Sequence, residues 1–150
     1  MRYKIILAAF FLFPEIVFAG AANASLECAA KSKKSAIKLS GIIPVAFEDF
    51  QILLKNANGV IDVTDKNGTI SVISDFGRGV FTVAVTLKDT RDLSLYAIPS
   101  TVKSSMRTYP KRARFDALLN APEPSHTGDP HGTDSWIRDE LLTCTYEYNP

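Results

Sequence analysis

Two cysteines, Cys28 and Cys144, lie near opposite ends of this chain, and no other cysteine occurs in it. In an oxidising compartment, two cysteines in one small domain pair most simply with each other. A reactive thiol usually has a nearby base, but neither cysteine belongs to a Cys-x-x-Cys motif and both histidines fall in a polar segment. The pair therefore predicts a disulfide that ties the N-terminal strand to the C-terminal strand.

Residues 1–24 have the organisation of a Sec-type signal peptide. A positively charged start precedes an apolar core, Ile5–Phe13, and small residues then allow cleavage after Ala21 or after Ala24. A proline and a glutamate interrupt the apolar stretch, whereas a membrane-spanning helix needs about 20 mostly apolar residues. A retained anchor is therefore the less favoured alternative. We expect a periplasmic or secreted protein whose mature chain, residues 25–150, has no transmembrane segment.

The charge balance of the mature chain argues against nucleic acid as a partner. Removing residues 1–24 takes away two of the 17 basic residues and one of the 16 acidic residues, which leaves the two signs equal. Domains that bind nucleic acid usually carry a basic excess that attracts phosphate. The remaining length suits a single hydrophobic core, so residues 25–150 are predicted to form one β-rich domain.

Short apolar stretches with alternating or β-branched residues recur along the chain and are separated by glycine and proline turns. Strands at a spacing of roughly eight to twelve residues are typical of β-sandwiches and small barrels. We therefore predict an all-β domain with minor α-helix, folded as a single-domain antiparallel β-sandwich or small barrel. Its core is predicted to contain most of the large aromatic side chains: Phe47, Phe50, Phe76, Phe81, Phe115 and Trp136.

Four segments carry more specific local predictions. Asn67-Gly68 between two β-branched runs predicts a tight β-hairpin, because both residues tolerate positive φ. Ala113–Leu119 fits either a strand or a short helical face, and Trp136–Leu141 is predicted to form a helical turn. Residues 120–135 contain three prolines, two glycines and both histidines, and they are predicted to form a loop.

The predicted loop contains the candidate metal ligands. His126, Asp129 and His131 lie within a few residues of one another, and Zn²⁺ accepts nitrogen and oxygen ligands of this kind. Their spacing matches no specific metal-binding motif, and gathering ligands from a loop costs conformational entropy. The alternative is a solvated loop in which the aspartates form turns.

Arg107, Tyr109, Lys111, Arg112 and Arg114 form a concentrated basic segment late in the chain. Arginine binds carboxylates and phosphates through paired hydrogen bonds, so this segment could contact an anionic partner such as an acidic protein face. The alternative is an edge strand whose charges prevent pairing with neighbouring molecules. On an extended segment, Arg112 and Arg114 would share one face and Lys111 would lie on the other.

No motif of a hydrolase, a phosphate-binding loop or a dinucleotide site occurs in the sequence, which favours a protein that is not an enzyme. We predict a non-enzymatic binding protein of the periplasm or cell envelope that recognises a protein or an envelope component and uses no cofactor. One alternative is a small metal-dependent hydrolase that uses the His126/His131 loop. The other is a structural protein of the envelope.

Overall fold

Strands form almost all of the structure, a computed structural model that describes residues 23–44, 49–88, 90–108, 110–124 and 135–148. These strands are β1 (Asn23–Ala30), β2 (Lys38–Pro44), β3 (Gln51–Asn56), β4 (Gly59–Thr64), β5 (Gly68–Asp75), β6 (Val80–Leu87), β7 (Asp92–Ala97), β8 (Lys103–Ser105), β9 (Lys111–Pro122) and β10 (Trp136–Tyr148). Two short 3-10 turns, Phe76–Arg78 and Pro99–Thr101, lie between strands. Within these ranges there is no α-helix, and hence no helix long and apolar enough to cross a membrane. The predicted signal peptide, up to residue 22, lies outside the described residues.

The ten strands form one sheet in the order β4-β3-β2-β1-β10-β9-β7-β6-β5, and β8 pairs with β9 beyond the end of β7. Strands β1 to β4 make one meander and β5 to β10 make another. The two meanders meet where β1 pairs with β10. The sheet curls until it is nearly closed, with β4 and β5 at its two ends. The predicted all-β, antiparallel, barrel-like fold is confirmed.

The predicted disulfide joins Cys28 to Cys144. The two residues face each other directly in the β1–β10 ladder, and their Cα atoms are 4.1 Å apart. Such a close approach is typical of the non-hydrogen-bonded pairs of an antiparallel ladder, in which the side chains lie nearest each other. Both cysteines are buried, so the bond lies in the core and joins the two meanders covalently.

Strand alternation determines which residues enter the core, and β9 is the clearest example. Ala113, Phe115 and Ala117 are buried, whereas Arg112 and Arg114, which alternate with them, are exposed. This two-residue period is that of a strand with one face on the core and the other in solvent. The segment whose pattern fitted either a strand or a helix is therefore a strand.

Phe76, Phe81, Phe115 and Tyr146 form an aromatic cluster in the core. The centroid of the Phe81 ring lies 5.2 Å from those of Phe76 and Phe115, and 5.6 Å from that of Tyr146. Aromatic rings at such separations attract each other beyond the effect of their buried area. Burial raises the pKa of the Tyr146 hydroxyl, and the nearby Tyr148 adds to this effect.

The predicted core aromatics are buried with one exception among the described residues. Phe50 joins the three clustered phenylalanines in the core. Trp136, in contrast, is 42% exposed, so its assignment to the core is wrong. It begins β10, and because its neighbour Ile137 points into the core, Trp136 projects to the other face of the sheet. Phe47 lies outside the described residues.

The predicted hairpin at Asn67-Gly68 is wrong, because the two strands that flank this turn do not pair with each other. A tight turn does follow β4, closed by a hydrogen bond from the Asn67 N–H to the Thr64 carbonyl oxygen. However, β4 pairs with β3 and β5 pairs with β6, so the two strands diverge after the turn. Positive φ angles occur at neither turn residue. Glycine is needed at position 68 for space, because a Cβ there would lie 2.5 Å from Val63 Cγ1.

Residues 136–141 belong to β10, so the predicted helical turn is wrong. The register with β9 shifts between Ile137 and Glu140, where β10 contains one extra residue at a β-bulge. Asp139 takes a left-handed φ of 49°, and its N–H donates a hydrogen bond to the Asn120 side-chain oxygen. The extra residue interrupts the two-residue alternation, which is why the apolar spacing of this segment resembles that of a helix.

Candidate functional site

A groove crosses the outer face of the sheet where β8, β9, β10 and β1 lie side by side. Two adjoining cavities of about 630 and 480 Å³ make up this groove, and both have Lys103 and Arg114 in their walls. We call this surface the basic groove. Its lining includes four cationic side chains and three carboxylates: Lys31, Lys103, Arg112, Arg114, Glu27, Asp116 and Glu147.

The register of the sheet brings these residues together. Arg114 of β9 faces Lys103 of β8 on one side and Thr145 of β10 on the other, and Thr145 in turn faces Glu27 of β1. Residues two apart on a strand project to the same face, so Arg112 lies in the next row. Because β9 pairs on both sides at Arg112 and Arg114, the alternative that charges protect a sheet edge is wrong for these two residues.

Arg112 and Glu147 form an ion pair across the β9–β10 ladder. The Arg112 Nε donates to Glu147 Oε2 at 2.8 Å, and the two residues are direct partners in the register. Both side chains are largely accessible to solvent, at 62% and 45% exposure. Opposite charges placed in this way stabilise a sheet by roughly 0.2 to 1 kcal/mol. The pair also holds the Arg112 guanidinium on one wall of the groove.

Asp116 anchors the other end of the groove. Its Oδ2 accepts a hydrogen bond from Lys31 Nζ at 2.6 Å, and its Oδ1 accepts one from the Thr143 hydroxyl at 2.9 Å. The hydrogen bond from Lys31 and then that from Thr143 hold the pKa of the Asp116 carboxyl below its ordinary value, against the opposing effect of burial. Asp116 therefore stays ionised and fixes the position of the Lys31 ammonium.

Replacing Asp116 should make the free energy of unfolding vary less with pH in the acidic range. Since folding lowers the pKa of this carboxyl, its contribution is fully present above its unfolded-state value near pH 4 and is lost as the pH falls below that value. We expect Asp116→Asn to lower the free energy of unfolding by about 1 kcal/mol at pH 7 and to matter less at pH 3. Urea unfolding at both pH values measures this.

A double-mutant cycle isolates the contribution of the ion pair. In a Lys31→Met background, Asp116→Asn should cost less than it does in the wild type, because the two charges no longer interact. If the cost were the same in both backgrounds and at both pH values, the Lys31–Asp116 pair would have no role in stability.

Lys103 and Arg114 differ from the other two cations of the groove. They oppose each other directly across the β8–β9 ladder, where like charges destabilise a sheet by up to about 1 kcal/mol. Lys31 and Arg112 each form an ion pair, but neither Lys103 nor Arg114 forms one with any residue that the structure describes. These two neighbouring positive charges therefore lie in the groove without a direct ion pair to a described residue, although Arg114 is near enough to Asp116 to help lower the pKa of its carboxyl.

Two other members of the predicted basic segment, Arg107 and Lys111, lie outside the basic groove. Arg107 lines another cavity, about 340 Å³ in volume, that adjoins the groove along β8. Lys111 lies at the end of the inner face, with its Nζ 5.9 Å from the centroid of the Tyr148 ring. Tyr109 is not among the described residues. Of the four predicted interaction residues that the structure describes, it therefore brings Arg112 and Arg114 into the groove.

Sequence reasoning missed the groove residues that come from other strands. Lys31 and Glu27 belong to the N-terminal end of the chain, Lys103 to β8, and Asp116 follows the basic segment on β9. The two-residue alternation of β9 was the one signal in the sequence that could have placed Asp116 in the site, because Asp116 lies on the same face of the strand as Arg112 and Arg114. The remaining residues join the groove only through long-range strand pairing.

The predicted metal ligands His126, Asp129 and His131 lie outside the described residues, so the metal site stays a prediction. The segment predicted as a loop begins as strand, since β9 continues to Pro122. Elsewhere, in the ranges that the structure describes, no three histidine, cysteine or acidic side chains are grouped so that they could hold a metal ion.

The basic groove can hold an anionic group. Guanidinium and ammonium groups donate charge-assisted hydrogen bonds to carboxylate and phosphate oxygens, and arginine can do so with two parallel bonds. Lys103 and Arg114 are the two cations in a position to make such contacts.

No protein-family model matches the chain, and neither a curated protein nor a solved structure shows significant similarity to it.

Proposed function

We propose that this protein is a non-enzymatic binding domain of the periplasm or cell envelope, and that its basic groove holds an anionic group of a protein or envelope component. The observation that carries the proposal is the direct opposition of Lys103 and Arg114 in the groove. An anion placed between these side chains would replace a mutual repulsion by two attractive contacts.

Two further features support this proposal. The Cys28–Cys144 disulfide is typical of proteins that work in an oxidising compartment, which is consistent with the predicted signal peptide. Lys31 and Arg112 are each held by a carboxylate at the margins of the groove. Because these cations are already positioned, little side-chain entropy would be lost when a ligand binds beside them.

Neutralising the two opposed cations should weaken anion binding at least tenfold. The variant is Lys103→Gln/Arg114→Gln, and the probes are a synthetic peptide of glutamates and inorganic phosphate, each titrated by isothermal calorimetry. Binding to the wild type should also weaken as salt is added, since exposed charges are screened over about 10 Å at 0.1 M ionic strength.

The chain offers a matched control in Lys38 and Lys55. These lysines also oppose each other directly, on the β2–β3 ladder, and Lys38→Gln/Lys55→Gln removes the same amount of charge. The control should bind both probes as the wild type does. Absence of binding by the wild type would refute the proposal, and an equal loss in the two double variants would attribute the binding to net charge alone.

A further inference from the structure

Strand β5 lies at one end of the sheet and, among the residues that the structure describes, pairs on one side only, with β6. Natural edge strands are usually short or carry charges or prolines that prevent another strand from adding to them. β5 is eight residues long, and it carries neither charge nor proline from Gly68 to Ser74. Within the described ranges, its outer edge therefore has none of these protections.

The hydrogen bonds of β5 define which backbone groups face this edge. The Lys88 N–H donates to the Asn67 carbonyl oxygen, which extends the β5–β6 register by one hydrogen-bonded pair. In an antiparallel ladder, such pairs alternate with pairs whose N–H and C=O groups point away from the partner strand. The groups that point away from β6, toward β4, therefore belong to every second residue: Gly68, Ile70, Val72 and Ser74.

The facing edge of β4 is already partly covered. The Asn67 side-chain amide donates to the Asp62 carbonyl oxygen at 2.8 Å, and its oxygen accepts from the Thr64 N–H at 2.6 Å. Asn67 thus takes the place of a neighbouring strand at this end of β4. Consequently, β5 offers the more complete set of backbone groups to an incoming strand.

The side chains beside this edge are apolar and incompletely covered. Ile70 and Val72 of β5 and Ile61 of β4 pack against the core, but all three remain only half-buried. On the opposite face of β5, Ile73 is 61% exposed, more than any other large hydrophobic side chain in the described residues. A strand added to β5 would remove apolar surface from water on both faces.

We propose that β5 is a docking edge for an extended segment of a partner polypeptide, which adds to the sheet as a further strand. Backbone hydrogen bonds to Ile70 and Val72 would supply affinity, and alternate side chains of the partner would supply specificity. Those side chains are apolar and uncharged, because they enter beside apolar residues at an edge without charge. The inference is independent of the basic groove, which lies on β8, β9, β10 and β1.

A peptide library tests this proposal with the purified protein. Its nine-residue peptides alternate valine, isoleucine, leucine or phenylalanine with serine or threonine. Peptides selected on the wild type should bind Val72→Pro at least tenfold more weakly. Proline removes the N–H that faces the edge, and a strand tolerates it there because that N–H takes no part in the β5–β6 ladder.

The same substitution on the opposite strand is the control. Val60 of β4 alternates with Asp62 and Thr64, so its backbone groups also point toward the opening between β4 and β5. Val60→Pro should keep the binding, since the partner strand hydrogen-bonds to β5. Ile70→Lys is the second test variant, and it places a charge beside the edge. It should also lose binding, and it tests the proposal even if Val72→Pro does not fold.

Amide hydrogen exchange, followed by NMR, distinguishes strand addition from adsorption to exposed Ile73. A bound peptide should slow the exchange of the Ile70 and Val72 amides at least tenfold. The amides of Ser71 and Ile73, which already bond to β6, should change little. This alternation along one strand is expected only if the peptide pairs with the edge of β5.

Several outcomes would overturn the proposal. The first is that no peptide binds the wild type more tightly than Val72→Pro and Ile70→Lys. The second is that only Val60→Pro loses binding. The third is that a bound peptide slows amide hydrogen exchange evenly along β5. Self-association of the wild type that Val72→Pro abolishes would assign the edge to a second copy of this chain, which also contradicts the proposal.

Discussion

Removing the Cys28–Cys144 disulfide should lower the free energy of unfolding by about 4 to 5 kcal/mol. The bond closes a loop of 116 positions, so its loss gives the unfolded chain much more conformational freedom. A domain of this size is stable by only about 5 to 15 kcal/mol, so the loss is a large share of the total. Urea unfolding of the Cys28→Ala/Cys144→Ala variant measures it.

The reduced wild type is the control for this experiment. Both cysteines are buried, so the alanine variant also loses packing in the core, whereas reduction with dithiothreitol keeps both sulfur atoms in place. The difference between the two proteins reports the packing contribution. A loss below about 1 kcal/mol in the reduced protein would mean that the bond does not restrict the unfolded chain as the entropy account requires.

Phe81→Ala should destabilise the protein by about 3 to 5 kcal/mol. Phe81 is 1% exposed, and its ring contacts three other rings of the aromatic cluster. Truncation leaves a cavity that the surrounding strands cannot fill, and it removes these ring contacts as well. Thermal and urea unfolding measure the change.

Tyr96→Ala is the matched control for the aromatic cluster. Tyr96 lies on β7, the strand next to β6, but it is 47% exposed on the outer face. We expect its removal to change the free energy of unfolding by about 0.5 kcal/mol or less. Similar losses in Phe81→Ala and Tyr96→Ala would show that the cluster does not contribute to the core as its burial indicates.

The fold class could be predicted from the sequence because a strand repeats every two residues, and that period is visible locally. The partners of the strands were harder to predict. The turn at Asn67-Gly68 has the local signal of a hairpin, yet the Asn67 side chain bonds to the edge of β4 and Gly68 packs closely against Val63. These are contacts of the folded sheet, and no propensity of the two turn residues encodes them.

The candidate site was predictable only where its residues are neighbours on one strand. Arg112 and Arg114 stand together in the sequence, whereas Lys103 reaches them through the β8–β9 register, which nothing in the sequence marks. The register of β1 with β10 is different, because the cysteine pair fixes it. Once Cys28 faces Cys144, the preceding residue Glu27 must face Thr145, so this side of the groove follows from the disulfide.

The junction of the two meanders has a consequence for the order in which the protein matures. β1 precedes β10 in the chain, so one side of β1 has no neighbour until β10 has been synthesised. During that interval the Cys28 thiol has no native partner and is open to exchange with an oxidase or a disulfide carrier. The β1–β10 ladder and the native disulfide therefore both require the strand that is made last of the ten.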